Sequence, residues 1–357
     1  TDSVDESLRV LRGERAGFFY SRVGNPSVRQ LELLLAQLQG RSSCLASASG
    51  VNAIAQCLLS LTSAGDHIVF FIEGYSPTRQ IIRKLLARFG VTHSMLSIED
   101  LPALERELAA RPTRLVFFES PTNPVNKIAD IAAITRLARQ HGALTVLDNT
   151  AAGFHQHGQF DVDVFIHSLT KFTTGAGDVM GGTVIADESI IAPMRADYAL
   201  LGAQLDALSA SLMVRGMKTY FVRYRTQSAA ALQIANFLEA HPAVSKVRYP
   251  GLESHAHAAL ARAQMSDFGT VITFDLRAGF EAGRTFAESL HLFARTPSFG
   301  STESLVVPPQ MMQPRDFSPA ELLVSDIGPG TVRLSIGLED PLDLQTDLSR
   351  SLELAAR

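Results

Sequence analysis

Leu144-Thr145-Val146-Leu147-Asp148-Asn149-Thr150 is followed, one apolar run later, by His167-Ser168-Leu169-Thr170-Lys171. The first stretch is β-branched and apolar until it ends in a carboxylate. A run that is apolar throughout belongs to a strand buried on both faces, as in a parallel sheet covered by helices. A second such run, residues 162–166, leads towards Lys171. Asp148 and Lys171 are 23 positions apart, room for one strand and its connections, so both are expected at one edge of the same sheet. A carboxylate in apolar surroundings is expensive unless it is paired. Asp148 therefore reads either as a cap of a turn or as the partner of a buried cation. A lone lysine after a strand is usually solvated. Here Ser168 and Thr170 flank it with hydroxyls, and the Gly-rich stretch Gly175-Ala176-Gly177-Asp178-Val179-Met180-Gly181-Gly182 follows. A lysine that forms a Schiff base needs a reactive amine and open space beside it.

Outward from this pair the same alternation continues. Residues 67–71 and 115–118 read as strands, and 76–89 and 131–140 as helices. After about residue 215 the character changes. One long helix over 222–240 ends before Pro242, followed by strands at 244–249, 270–276 and 331–336. Helices near 257–263, over 281–290 and from 342 onwards lie among and after these strands. The expected architecture is a large α/β domain with a mostly parallel sheet, residues 21–220, and a smaller C-terminal α+β domain, 221–357. Residues 1–20 read as an N-terminal arm, and the first residue, Thr1, suggests a trimmed start. Ligands of open parallel sheets sit at the carboxyl ends of the strands.

Three further stretches belong at such ends. Ser47-Ala48-Ser49-Gly50-Val51-Asn52 opens a helical pattern, and N–H groups at a helix start bind phosphate. It is neither a P-loop nor a dinucleotide fingerprint, since the required Gly and Lys spacings are missing. Tyr75, in Glu73-Gly74-Tyr75-Ser76-Pro77-Thr78, follows a strand, where its ring can stack on a flat group and its hydroxyl can exchange a proton. Arg333 interrupts an apolar strand and needs an anion: a substrate carboxylate, or Glu339 or Asp340 in a structural ion pair.

The chain of 357 residues is 46% hydrophobic with a net charge of −4, enough for two cores. Its basic residues are scattered, which argues against nucleic-acid binding. No apolar run reaches membrane-spanning length and no secretory signal pattern opens the chain. Cys44 and Cys57 form no CxxC pair, so a reducing cytoplasm is the expected setting and no metal site is expected. His155 with His157, and His255 with His257, read as ordinary hydrogen-bonding residues.

In order along the chain, Tyr20-Ser21-Arg22 with Asn25-Pro26, Ala48-Ser49-Gly50, Glu119-Ser120-Pro121-Thr122-Asn123-Pro124, Asp148-Asn149-Thr150 and His167-Ser168-Leu169-Thr170-Lys171 resemble the Cys/Met-metabolism enzymes that use pyridoxal 5′-phosphate (PLP). Asp178-Val179-Met180-Gly181-Gly182, Ser298-Phe299-Gly300 with Glu303-Ser304-Leu305, and Arg333-Leu334-Ser335-Ile336-Gly337-Leu338-Glu339-Asp340 extend the likeness over nearly the whole chain. The resemblance implies the fold type I (aminotransferase-like) architecture. It also implies that Lys171 carries PLP as a Schiff base and moves protons, that Asp148 pairs with the pyridine nitrogen, and that Tyr75 stacks on the ring and activates the substrate. Gly50 and Val51 N–H groups with the Ser168 and Thr170 hydroxyls would hold the phosphate, Thr150 and Asn123 would complete the cofactor set, and Tyr20 and Arg22 would reach the phosphate of a neighbouring subunit. Asn123, Ser298 and Arg333 would hold the substrate carboxylate. A homodimer with shared sites, paired into a homotetramer, follows.

The activity implied is γ- or β-elimination from a sulfur-containing amino acid. γ-Replacement on an activated homoserine, or a catalytically silent PLP-binding protein, are the alternatives. Against the family pattern the arm before Tyr20 is short. The stretch 149–158, Pro297, and Val306-Val307-Pro308-Pro309-Gln310-Met311-Met312-Gln313-Pro314 also depart from it. These three are expected around the substrate side-chain pocket, near Ala151 and Met311.

Overall fold

The structure is a computed structural model that describes residues 3–312 and 314–356; Thr1, Asp2, Gln313 and Arg357 lie outside it. The apolar runs become buried strands, and a partly exposed one, Thr92–Leu96, closes one edge of their sheet. They are β1 (Ser43–Ser47), β2 (His67–Phe71), β3 (Thr92–Leu96), β4 (Leu115–Glu119), β5 (Leu144–Asp148), β6 (Val164–Ser168) and β7 (Gly182–Ala186). They form one sheet in the order β1-β7-β6-β5-β4-β2-β3. Strands β6, β5, β4, β2 and β3 run parallel, and β7 is antiparallel to both β6 and β1. Successive side chains alternate between two cores. Val69, Phe71, Val116, Phe118, Leu147 and Phe165 face one helical layer. Ile68, Phe70, Leu115, Phe117, Val146 and Val164 face the other.

The strand expected at 162–166 is displaced to Val164–Ser168. Asp163 is spent before the strand starts, accepting from Thr145 N (2.8 Å) and Thr145 Oγ1 (2.6 Å). Ser168 therefore closes the strand, and Lys171 follows three positions later. The helix expected over 76–89 is not uniform. It is α-helical at Ser76–Gln80, widens to i→i+5 bonding at Ile81–Leu85, and tightens to i→i+3 at Leu86–Phe89 before Gly90 in the left-handed region (φ 78°).

A second sheet holds β8 (Val244–Arg248), β9 (Val271–Leu276), β10 (Ala294–Arg295), β11 (Leu305–Val307) and β12 (Thr331–Ser335), in the order β10-β11-β12-β9-β8. All its pairings are antiparallel except β10 with β11. The long helix, Tyr220–Ala240, joins the two sheets. Its first turns bury Tyr220 and Tyr224 in the large core, where the Tyr220 hydroxyl accepts from Phe154 N (2.9 Å) and Tyr224 donates to Ala152 O (2.5 Å). Its later turns put Ala231, Ile234 and Leu238 into the small core. Among the described residues no helix is long and apolar enough to cross a membrane.

Strand β7 and the start of the helix Gly50–Leu61 meet without room for a side chain. A Cβ on Gly182 would lie 2.2 Å from Ser49 O and 2.7 Å from Gly50 Cα, both backbone atoms. Gly182→Ala is expected to cost at least about 1–3 kcal/mol through forced backbone shifts. A lowered denaturation midpoint checks this.

Candidate active site

Strands β4, β5 and β6 end at the same edge of the sheet and deliver Glu119, Asp148 and Ser168 there. Asp148 is buried. Its Oδ1 accepts from Thr150 N (3.1 Å) and Thr150 Oγ1 (2.6 Å). The Thr150 hydroxyl in turn accepts from Ser168 N (2.9 Å), so one hydroxyl ties the ends of β5 and β6 together. Burial pushes the Asp148 carboxyl upward, while the Thr150 bonds and Lys171 pull it back.

Lys171 sits across the edge. Its Nζ donates to Ser298 Oγ (3.0 Å) and lies 4.8 Å from the centre of the Phe299 ring. Desolvation, helped by the positive Arg333, lowers its amine to about 8 against the opposing pull of Asp148. Roughly a tenth of such an amine is neutral at pH 7, against less than about a thousandth of an ordinary lysine, and the neutral form is the nucleophile.

Arg333, on β12, is buried. Its Nη1 donates to Asn123 Oδ1 (2.7 Å) and its Nη2 to Ser298 O (2.9 Å), while Nε has no acceptor among the described residues. The ion-pair alternative fails. Glu339 accepts from Ser304 N and Oγ (both 2.7 Å), and Asp340 caps the last helix through Leu342 N (2.8 Å). Burial draws Arg333 down to about 10, with Tyr75 opposing.

Tyr75 is 38% exposed, and its N–H donates to Glu119 Oε2 (2.9 Å). The other oxygen of Glu119 accepts from Asn123 N (2.8 Å). Glu119 stands opposite Asp148 in the β4–β5 register. Burial and that neighbouring charge raise its carboxyl well above the usual range. The same two carboxylates, after burial, push the Tyr75 hydroxyl up. Sequence reasoning gives Glu119 no role of its own. Its signal is the one Asp148 carries, an acid ending an apolar strand.

The helix Gly50–Leu61 starts at this edge, capped by Ser49 Oγ accepting from Asn52 N (3.1 Å). The first N–H groups of a helix have no intrahelical acceptor. A Cβ on Gly50 would lie 2.8 Å from Ser168 Cβ and 2.9 Å from Ser168 Oγ, so only glycine brings these donors together. The Thr170 hydroxyl is engaged with Gly181, donating to its carbonyl (3.3 Å) and accepting from its N–H (3.2 Å).

These residues enclose a cavity of about 230 Å³ whose wall includes Gly50, Val51, Tyr75, Asn123, Asp148, Thr150, Ser168, Thr170 and Lys171. Glu119, Met180, Pro297 and Phe299 join them. Ser298 and Arg333 stand behind the wall and reach it through Lys171 and Asn123. Tyr20 and Arg22 are not brought to this cavity. They are exposed, lie together (5.3 Å between guanidinium and ring), and line a separate depression with Arg22 donating to Ala199 O (2.8 Å). Of the departures expected around a side-chain pocket, Pro297 lies on the wall, and the stretch 149–158 reaches it among the described residues through Thr150 alone. Ala151 is packed in the large core, Pro309 abuts Gly283, and Met311 is exposed. His155 bonds the Tyr220 hydroxyl and His157 bonds Asn149 Oδ1. His255 donates to Asn126 O, and His257 accepts from Ile128 N.

The sequence profile of the "Cys/Met metabolism PLP-dependent enzyme" family matches residues 1–353. The chain belongs to this family. An L-methionine gamma-lyase of Pseudomonas putida is 37% identical over 99% of this chain and 90% of its own length. A chloroplastic cystathionine gamma-synthase of Nicotiana tabacum is also 37% identical, over 99% of this chain and 66% of its own. Among solved structures, cystathionine gamma-lyase from Lactobacillus plantarum, complexed with L-serine, superposes with a TM-score of 0.90 at 34% identity, over 96% of this chain and 90% of that one. The protein is thus a PLP-dependent enzyme of Cys/Met metabolism with the fold type I architecture.

The electrostatics of the cavity are open to direct measurement. In cofactor-free enzyme, labelling of Lys171 by an amine reagent is expected to rise as pH climbs through about 8. Asp148→Asn removes the charge that raises this value, so the midpoint moves down. Arg333→Leu removes one that lowers it, so the midpoint moves up. Site-resolved mass spectrometry of labelled peptides reads all three.

Proposed function

We propose that this enzyme eliminates a γ- or β-substituent from a sulfur-containing amino acid, consuming water and releasing an α-keto acid, ammonia and the thiol. The observation that carries the reading is Lys171, a buried amine lowered to about 8 and held between an acidic sheet edge and a carboxylate-free guanidinium. The P. putida relative, which this chain matches over nearly its full length, supports the lyase reading.

The residues present fit PLP. Lys171 Nζ would hold it covalently, and the buried Asp148 carboxylate suits a protonated ring nitrogen. The Gly50 and Val51 N–H groups with the hydroxyl of Ser168, crowded together where a Cβ would not fit, suit its phosphate. Thr150 orients Asp148, Thr170 braces the turn after Lys171 through Gly181, and Tyr75 lies on the cavity wall where a ring could stack. When bound, PLP supplies an electron sink for negative charge developing at the substrate Cα.

The remaining roles fall to the chain. Arg333, with Nε unspent and backed by Asn123 and Ser298, would bind the substrate carboxylate and fix its orientation. Lys171 Nζ would take the Cα proton and return one at the neighbouring carbons. Tyr75, on the cavity wall, would take a proton from the incoming substrate amine as its phenolate, a form that the charge of Arg333 favours and that burial and the two carboxylates oppose. Cys44 and Cys57 are buried free thiols, which suits a cytoplasmic setting.

A second reading is γ-replacement on an activated homoserine, favoured by the equally similar N. tabacum relative. A panel of methionine, cystathionine, cysteine and acylated homoserines separates the two. Keto acid and ammonia released without added nucleophile support elimination; product only with added thiol supports replacement. Neither activity from PLP-loaded protein would favour the silent binding protein. Lys171→Ala is expected to abolish both turnover and the visible absorbance of the covalently held cofactor. Arg333→Leu should cut kcat/KM about 30-fold or more, since a buried charged contact is worth roughly 2–5 kcal/mol.

The exposed Tyr20 and Arg22, with Phe18 and Phe19 beside them, support a homodimer in which they complete the neighbour's phosphate site, and dimers pairing into a tetramer. Mixing Lys171→Ala with Arg22→Ala protein is then expected to restore about a quarter of wild-type activity, because half the subunit pairs hold one intact site.

A further inference from the structure

Outside the cavity, the turn that presents Tyr75 is held from the C-terminal unit. Arg79, one turn further along the helix Ser76–Gln80, is only 4% exposed. Its Nε donates to Asp316 Oδ2 and its Nη2 to Asp316 Oδ1, both at 2.9 Å. Its third nitrogen, Nη1, donates back to the carbonyls of Ile72 (3.1 Å) and Gly74. The guanidinium also lies 4.1 Å from the centre of the Phe317 ring. Ser76, the residue after Tyr75, donates its hydroxyl to the same Asp316 Oδ1 (2.8 Å). Arg83 adds a bond to Asp316 O (3.4 Å) and an ion pair to Glu321 (3.2 Å).

We propose that Asp316 is a positioning residue for Tyr75: by holding Arg79 and Ser76 it sets the turn 72–76 from outside the cavity. The inference rests on the role assigned to Tyr75 above. Two restraints act on that residue. Glu119 fixes its N–H from the large sheet, and the Asp316 clamp fixes the carbonyls before it and the side chain after it. A buried guanidinium deprived of its carboxylate does not stay in place. As Arg79 leaves, the Ile72 and Gly74 carbonyls lose their donor and must find others. A displacement of about 1 Å in a catalytic group costs about 100-fold in rate. The clamp therefore makes the Tyr75 geometry depend on docking of a C-terminal segment 237 residues away in sequence.

The test uses the full-length PLP-loaded enzyme and L-methionine, or whichever amino acid of the panel is turned over fastest. Asp316→Asn should lower kcat at least about 10-fold with little change in KM, and Asp316→Glu should recover part of it. In a Tyr75→Phe background Asp316→Asn should add almost nothing, since residues acting through one another are not additive. Because the chain has no tryptophan, Phe317→Trp supplies a single fluorophore under Arg79. Its emission should shift to the red with Asp316→Asn and not with Asp316→Glu, with or without PLP. Should Asp316→Asn fail to fold, Ser76→Ala, which removes one bond to the same oxygen, is expected to lower kcat about two- to fivefold. The proposal is overturned if Asp316→Asn leaves kcat unchanged, or lowers it equally with and without the Tyr75 hydroxyl. Full activity of Tyr75→Phe alone would instead remove the role of Tyr75.

Discussion

Arg333 is a buried cation answered only by neutral oxygens. Asn123 reaches it from the loop after β4, and Ser298 from the approach to β11, so residues from both sheets converge on one guanidinium. A charge kept in this state is costly, and its guanidinium is drawn down to about 10 by the burial. In the role proposed for Arg333, an incoming carboxylate would relieve that cost. The rest of the site is arranged around it. Ser298 offers its carbonyl to Arg333 and its hydroxyl to Lys171, so the cation and the amine share a spacer and repel each other across it.

The opposite wall is acidic for the same structural reason that the fold is parallel. Strands running side by side in one direction finish together, and β4 and β5 finish with Glu119 and Asp148 in register. Among the described residues neither carboxylate has a cation of its own within hydrogen-bonding distance. Asp148 is satisfied by Thr150, and Glu119 by the N–H groups of Tyr75 and Asn123. The cavity is thus a field between an acidic sheet edge and a basic C-terminal strand, with Lys171 in the middle. Backbone donors at the start of Gly50–Leu61 supply a second positive pole some distance along the edge.

Much of this is legible in the chain because it is local. An acid that ends an apolar strand, a lysine flanked by hydroxyls, and an arginine inside a β-branched run each violate a burial rule and so attract notice. The two-sheet architecture follows from the change in periodicity near residue 215. What is not legible depends on pairs far apart. Nothing near Asp163 says that it serves Thr145 and delays β6 by two residues. Strand β1 is Ser-Cys-Leu-Ala-Ser, small and short, and becomes a strand only because β7 lies beside it. The pocket expected near Ala151 and Met311 fails similarly. Ala151 is claimed by the core, and the stretch around Pro309 packs against Gly283, leaving Pro297 as the variant residue on the wall. Glu119 ends an apolar strand as Asp148 does, but its two partners are backbone N–H groups, which no side-chain pattern announces.

Strand β12 lies between β9 and β11, and it carries Arg333. During synthesis, the large sheet can assemble with Asp148, Lys171 and the glycine cradle already at its edge. The cation is added only when residues 331–335 slot between two strands made earlier. A nascent chain can therefore have the groups suited to holding a cofactor before it has the one suited to choosing a substrate. Any reactive amine exposed at Lys171 in that interval stands beside an unbalanced acidic edge. Insertion of a central strand late in the chain makes the buried Arg333 cation the last of these charged groups to be synthesised.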